Sequence, residues 1–238
     1  MVKTTLFQHN TLASLMAGLY EGTMPLKELL THGNFGVGTV DSIDGELIVL
    51  DGKAYQATGT NNEVKVNLVK DHVLVPYAAV VNHTKTKSWT EDTTIDSENL
   101  KKTIEAKLDS QNLFFSVKVK GVFSKMHVRM IPKSKTGERF AEIAKHQPEF
   151  TEENISGTLV GIWTPELFHG VSVAGFHLHF LSDDVSFGGH VMDFVMEKGA
   201  IEIGIINQLE QHFPVTNQTF LEKTFDVHTL RNDIEASE

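Results

Sequence analysis

The stretch Thr39–Ala57, "TVDSIDGELIVLDGKAYQA", predicts a β-meander early in the chain. It contains two Asp-Gly pairs, at 44–45 and 51–52, and each pair lies between runs of β-forming residues. Asp-Gly between such runs is the strongest short-range signal for a β-hairpin. The middle run, "ELIVL", is apolar at four consecutive positions, so we expect a strand buried on both faces, with Glu46 as its first residue.

The rest of the chain alternates between strand-like runs and short helix-like segments. Residues typical of strands recur between turn residues at positions 63–69, 73–80, 83–90, 112–123, 126–132, 157–163, 173–180, 190–196 and 200–206. Helical spacing and capping signals predict helices at 10–20, 23–33, 97–108 (capped by Ser97) and 137–147. We therefore predict a mixed α+β fold with mainly antiparallel β-sheets in two strand-rich halves, helices packed outside, and a metal site between the halves.

A polar stretch at 151–156 is the best candidate for an internal boundary. Polar residues without apolar periodicity are typical of connecting segments. The stretch divides the chain into an N-terminal strand-rich subdomain with helices, 1–155, and a C-terminal subdomain, 156–238.

The composition argues against several classes of function. The 238 residues carry a formal net charge of −10 and include no cysteine. An acidic surface repels phosphate backbones and anionic lipid, so we expect neither nucleic acid nor a membrane as partner. Without cysteine, a bound metal needs histidine and carboxylate ligands.

The segment "LASLMAGLY", at 12–20, has the apolar composition of a short signal core. It lacks a strongly basic start and a small-residue cleavage site. Leu12, Leu15, Met16 and Leu19 recur at helical spacing, which predicts an ordinary amphipathic helix. No apolar run approaches the length of a membrane span, so we expect a cytoplasmic protein.

Three histidines lie close together in Gly175–His190, "GFHLHFLSDDVSFGGH". In a strand, residues two apart point to the same face, so the rings of His177 and His179 can converge. The short, turn-rich connection that follows can return His190 on a neighbouring strand. Three imidazoles arranged in this way are typical of a metal site in which some coordination positions stay open for other ligands. The alternative is three hydrogen-bonded sheet residues.

Two charged residues are further candidates. Glu46 begins a buried strand, where a carboxylate is costly unless it is paired or binds a metal; the alternative is an exposed turn residue. Arg129, in "HVRMIPKS", lies between apolar neighbours and can present its guanidinium to a substrate carboxylate. The alternative for Arg129 is a surface or interface arginine.

The histidine run extended to "GFHLHFLSDDVSFGGHV" resembles the signature of the acetolactate decarboxylase family. The resemblance includes residues 11–56, with the Asp-Gly-Glu turn, and "GTLVGIWTPE" just before the histidines. It extends over nearly the whole chain. The early Asp-Gly-Glu together with the late His-x-His and Gly-Gly-His is specific to the family.

The resemblance implies that His177, His179 and His190 bind a zinc ion, that no organic cofactor is needed, and that Glu46 lies at the metal and takes part in catalysis. It also implies a homodimer. The family reaction converts (S)-2-acetolactate to (R)-acetoin and carbon dioxide, so the expected substrate is a small 2-hydroxy-3-keto acid.

The resemblance further places the active-site arginine at Arg129, in "RMIP". The sequence departs from the family just beyond, where "KSKTGERF" replaces the usual proline-aromatic stretch. The entrance of the active site should therefore differ from that of the family. The family also folds a C-terminal glutamate onto the site. The tail "NDIEASE" offers Glu235 and Glu238, and the spacing from Ile234 favours Glu238.

This chemistry is reasonable on first principles. Loss of carbon dioxide leaves electrons that need a sink, and zinc chelated by the ketone and hydroxyl oxygens stabilises the developing enediolate. Arg129 would orient the substrate before cleavage. Glu46 or the tail glutamate would deliver a proton to one face, which yields one enantiomer.

Two alternatives use similar histidine motifs. DNA-associated domains often linked to AT-hooks share the His-x-His and Gly-Gly-His run, but the net charge of −10 and the absence of a hook argue against them. Cupin-like metal oxygenases also begin with His-x-His. Their motif expects a glutamate shortly afterwards, where this sequence has "SDD".

Overall fold

The computed structural model of the chain describes residues 3–60, 63–226, 228–230 and 234. The strands of these residues are β1 (Thr5–His9), β2 (Met24–Pro25), β3 (Phe35–Thr39), β4 (Glu46–Leu50), β5 (Lys53–Thr60), β6 (Glu63–Leu68), β7 (Leu74–Val75), β8 (Tyr77–Val81), β9 (Lys87–Glu91), β10 (Ile95–Asp96), β11 (Phe114–Arg129), β12 (Glu149–Thr164), β13 (Gly175–Ser182), β14 (Gly188–Ile206) and β15 (Gln208–His212). The helices are α1 (Leu12–Met16), α2 (Leu26–Leu29), α3 (Ser97–Glu105), α4 (Phe140–Ala144) and α5 (Gln218–Glu222).

The strands form two large sheets, which confirms the predicted fold class. The first sheet has the order β15-β1-β8-β3-β4-β5-β6, and only its β1–β15 pair is parallel. The second contains β9 to β14, and its strands β11, β12, β13 and β14 pair in a closed ring. Strands β2 and β7 form a separate short ribbon. The predominance of antiparallel pairs matches the alternating patterns in the sequence.

The predicted meander is confirmed as β3, β4 and β5. Asp51 and Gly52 link β4 to β5 with φ of 51° and 77°, the positive values that a tight two-residue hairpin needs. The earlier connection is longer than its Asp-Gly pair suggested, because a 3₁₀ turn at Asp41–Ile43 precedes Gly45. Asp41 binds the amide of Gly22 through its carboxylate, at 2.7 Å, so this connection is attached to the segment after α1.

Two predicted interruptions and one predicted cap were wrong. Strands β11 and β14 each run on where the sequence indicated two strands, and bulges near Val122 and His127 absorb the irregular residues. The cap of α3 is Asp96, which accepts a hydrogen bond from the amide of Asn99 at 2.8 Å. Ser97 instead donates to the carboxylate of Asp193.

The predicted helices are present but shorter. Helix α1 ends at Met16, because Gly18 adopts a φ of +91° and turns the chain. None of the helices in the described ranges is long and apolar enough to span a membrane. The proposed boundary at 155/156 falls inside β12, and the division into 1–155 and 156–238 stays a prediction.

An apolar layer joins the two large sheets. The first sheet contributes buried side chains such as Phe35, Val37 and Ile48, and the second contributes Val160 and others. The four named residues have relative exposures of at most 1%. Burial of such side chains is worth about 1.5–3 kcal/mol each, so this layer stabilises the relative placement of the two sheets.

A buried histidine, His9, with a half-buried partner predicts how the stability of this fold depends on pH. His9 and His212 lie opposite each other on β1 and β15, with their Nδ1 atoms 2.9 Å apart. Burial, assisted by His212, lowers the pKa of His9 to about 4. In an unfolded chain the pKa is about 6.5, so between these values the unfolded state binds the proton that the folded state does not. The free energy of unfolding should therefore fall as the pH drops through this window.

The contribution of His9 can be isolated by substitution. Glutamine does not titrate. The free energy of unfolding of His9→Gln should therefore fall less than that of the wild type between pH 7 and pH 4.5, a range that covers most of the window. Denaturant titrations at each pH measure the difference. His72→Gln, which replaces an exposed histidine, is the control. Equal pH dependence in the wild type and His9→Gln would contradict the prediction.

Candidate active site

The three histidines of the signature converge at the junction of β13 and β14. His177 and His179 are two residues apart on β13, and His190 lies directly opposite His179 on β14. The ring centroids are 5.0 to 5.4 Å apart. Leu178 and Phe180 point the other way, into the core of the second sheet. The predicted same-face pair and the return of the third histidine are therefore confirmed.

The histidine cluster has the geometry and protonation that a metal requires. One nitrogen from each ring lies within 4.8 Å of the others, and all three residues are buried. Burial lowers the pKa of His177 to about 4 and lowers the pKa of His179 and His190 well below the usual value. Neutral imidazoles offer lone pairs, so these side chains can hold a metal ion.

The hydrogen bonds of His179 orient its ring for such a role. Its Nδ1 lies 2.9 Å from the carbonyl oxygen of Leu47 on β4, an acceptor, which assigns the proton to Nδ1. Its Nε2 is buried and has no hydrogen-bond partner in the described part of the chain. A backbone carbonyl behind a histidine is the usual support for a metal ligand. The bare Nε2 lone pair is therefore the donor atom that faces the cluster.

Glu46 joins the histidines from the first sheet. It begins β4, and its side chain is buried. Its Oε1 accepts a hydrogen bond from the amide of Ile131 at 2.9 Å, and its Oε2 lies 3.4 Å from Nε2 of His179. Burial raises the pKa of Glu46 to about 7, although the Ile131 amide and the charge of Arg129 act in the opposite direction. The exposed-turn alternative for Glu46 is wrong.

Arg129 reaches the histidines from the second sheet, at the end of β11. It pairs with His190 across the ladder, and its Nη2 lies 3.3 Å from Nε2 of His190. Only 7% of its surface is exposed, so the surface-arginine alternative is wrong. The arginine charge contributes, after burial, to the low pKa of all three histidines. A buried cation here is suited to an anionic substrate.

A cavity of about 40 Å³ opens onto Glu46, Arg129 and two of the histidines. Sequence reasoning did not assign the other residues that line it, which are Leu12, Leu15, Met16, Gly38, Thr39, Tyr77, Ile131, Phe140 and Gln147. The helical spacing in α1 indicated a buried face but not what that face contacts. Phe140 is the last residue of the "KSKTGERF" departure and Gln147 follows it, so the departure does contribute to the cavity.

The tail glutamates lie outside the described residues. Glu235 and Glu238 both belong to that part of the chain, so the choice between them stays a prediction. Ile234, beside them in sequence, is buried in an apolar cluster with residues of α1.

The chain is similar in sequence to known proteins of one family. A sequence model of the family described as "Alpha-acetolactate decarboxylase" matches residues 6–227. A protein of that name from Lactococcus lactis subsp. cremoris (strain MG1363) is 57% identical over 235 residues, covering 99% of this chain and 98% of the relative. Another, from Streptococcus thermophilus, is 56% identical over 233 residues, covering 98% of both.

Solved structures have the same fold. The crystal structure of alpha-acetolactate decarboxylase from Bacillus subtilis strain 168 gives a TM-score of 0.93 at 31% identity, covering 98% of this chain and 99% of that chain. A Staphylococcus aureus protein, described as similar to alpha-acetolactate decarboxylase, gives 0.94 at 42% identity, with coverages of 98% and 100%.

These matches extend over nearly the whole chain and include both the Asp-Gly-Glu turn and the histidine run. They favour an enzyme over the DNA-associated and oxygenase alternatives. The chain therefore belongs to the alpha-acetolactate decarboxylase family and is an enzyme of the carboxy-lyase class.

Proposed function

We propose that the protein converts (S)-2-acetolactate to (R)-acetoin and carbon dioxide in a reaction that depends on a divalent metal held by His177, His179 and His190. The observation that carries the proposal is the convergence of three buried, neutral imidazoles beside Glu46 of one sheet and Arg129 of the other. This donor set lies at a cavity, and the proposed substrate is a small 2-hydroxy-3-keto acid.

Zinc is the metal that we propose. Three imidazole nitrogens with room for further ligands are typical of catalytic zinc. Nε2 of His179 is buried and makes no hydrogen bond within the described residues, so its lone pair is suited to binding the ion. When bound, zinc supplies Lewis acidity, which stabilises the enediolate charge that develops as carbon dioxide leaves. We propose no organic cofactor.

Arg129 binds and orients the substrate carboxylate. Its guanidinium is buried at the cavity, where a charge-assisted hydrogen bond is stronger than in water. Orientation lets the bond to the departing carboxyl group align with the ketone that accepts the electrons. The product, carbon dioxide, is uncharged, so it loses this attraction and can leave.

Glu46 delivers the proton that completes acetoin. With a pKa of about 7, its carboxyl group holds a proton in a large share of molecules at neutral pH. The Ile131 amide occupies Oε1, which leaves Oε2, on the histidine side, as the oxygen that carries the proton. Protonation from that one side yields a single enantiomer.

Three further expectations stay predictions. A tail glutamate, Glu238 or Glu235, would act as a second catalytic carboxylate at the cavity. The family resemblance favours a homodimer. A cytoplasmic location is the third.

The metal proposal predicts a loss of activity on chelation. Wild-type protein treated with a chelator should stop forming acetoin from acetolactate, and added Zn²⁺ should restore the rate. His177→Ala should bind zinc at least tenfold more weakly, because loss of an indirect supporting partner already costs about 10–100-fold. Elemental analysis and a colorimetric acetoin assay provide the two measurements.

His83→Ala is the matched control for this experiment. His83 is also largely buried, but its Nδ1 bonds to the hydroxyl of Ser116, away from the metal cluster. This variant should keep its zinc. Full zinc content together with full activity in His177→Ala would refute the site assignment.

A separate prediction concerns Glu46. In Glu46→Gln, the amide oxygen can still accept from Ile131, so the fold and the zinc content should be unchanged. Glutamine cannot deliver a proton, so kcat should fall by about 10²–10⁴-fold. Glu63→Gln, on β6 of the same sheet, is the exposed control. Wild-type turnover in Glu46→Gln would remove this carboxylate from the mechanism.

A further inference from the structure

One face of helix α1 forms an apolar wall of the active-site cavity. Leu12, Leu15 and Met16 occupy positions i, i+3 and i+4 of the helix, which is the spacing of a single face. All three line the cavity that also contains Glu46 and Arg129. Their relative exposures are 2%, 5% and 1%, so the wall is closed to solvent.

The cavity is therefore polar on one side and apolar on the other. Glu46, Arg129 and the histidines supply its charged and metal-binding groups. Two neutral hydroxyls are already engaged by the protein: Thr39 Oγ1 donates to the carbonyl of Gly45 at 2.7 Å, and the hydroxyl of Tyr77 lies 3.2 Å from Ser172 Oγ. A molecule bound with its oxygens on the polar side would turn its alkyl groups toward α1.

The wall is attached to the protein at its first turn. The hydroxyl of Thr11 caps the helix by accepting from the amide of Ser14. The amides of Leu12 and Ala13 donate to the carbonyls of Val171 and Gly170, each at 3.0 Å. The first amides of a helix usually face water, but here they donate to a neighbouring loop. This end of the wall therefore cannot move outward without breaking these hydrogen bonds.

The wall is also attached beyond its last turn. Gly137 donates its amide to the carbonyl of Gly18 at 2.9 Å, and the hydroxyl of Tyr20 donates to the carbonyl of Glu138 at 2.7 Å. These bonds hold the segment that follows α1 against the loop that leads to α4. Attachment at both ends limits how far the wall can yield to a larger ligand.

We propose that the α1 wall, and Met16 in particular, determines which alkyl group the enzyme accepts at C2 of its 2-hydroxy-3-keto acid substrate. This inference rests on the function proposed above. The wall accepts a methyl group and disfavours an ethyl group. Met16 is buried and its side chain is long and unbranched, so its truncation to alanine opens space beside the cavity.

The expected size of the selection follows from the chemistry of apolar pockets. One methylene more or less in such a pocket changes kcat/KM by about 10–200-fold. The methionine side chain can shift more readily than a branched one, which places the selection near the lower end of that range.

The test compares two substrates that differ by one methylene, the 2-methyl and the 2-ethyl 2-hydroxy-3-oxobutanoates, with the zinc-loaded enzyme. Met16→Ala should raise the ratio of kcat/KM for the 2-ethyl over the 2-methyl compound by about tenfold. Met24→Ala is the matched control, because Met24 is equally buried but lies in a different apolar cluster, outside the cavity lining. The control should keep the wild-type ratio.

A milder variant protects the test against misfolding. If Met16→Ala does not fold, Leu15→Val takes its place. This variant removes one methylene from the same wall and should raise the ratio several-fold. An unchanged ratio in the folded variant, or an equal rise in Met24→Ala, would overturn the inference. If the wild type decarboxylates neither compound, the proposed function itself fails, which is a different outcome from activity with an unaltered ratio.

Discussion

The pairing register of β13 with β14 is the constraint on which the candidate site depends. It sets His179 opposite His190 and leaves His177 on the same face. Because side chains alternate in a strand, a slip of one residue would turn the histidines into the core and Leu178 and Phe180 out of it. The large apolar side chains that pack on the opposite face of β13 therefore stabilise the register, and with it the convergence of the three rings.

Burial between the two sheets gives the site its chemistry through two opposite pKa shifts. Removal of water penalises charged forms, so it raises the pKa of Glu46 and lowers the pKa of the histidines. A carboxyl group that holds a proton in a large share of molecules at neutral pH thus lies beside neutral imidazoles, and both protonation states suit the proposed roles. The carbonyl of Leu47 links the two sheets at this point, because it belongs to β4 and binds a histidine of β13.

Much of the fold and of the site was predictable from local patterns. The Asp-Gly pair at 51–52 predicted the hairpin between β4 and β5, since both residues there need positive φ. The His-x-His spacing predicted the same-face pair. The continuity of β11 and β14 was not predictable, because polar residues inside them are typical of turns until a partner strand pairs with them. The cap at Asp96 was missed because Ser97, next to it, is an equally good capping residue.

The sequence alone established a strand-rich α+β chain, a metal-type histidine cluster and a family resemblance, because period-two alternation and short motifs are local properties. The tertiary structure was needed to bring Glu46 and Arg129 next to that cluster, since they are separated from it by up to 144 residues. It also turned the apolar face of α1 from a general core prediction into a wall of the cavity. Which groups meet at a site depends on how the sheets pack, and long-range packing leaves no local periodic signal.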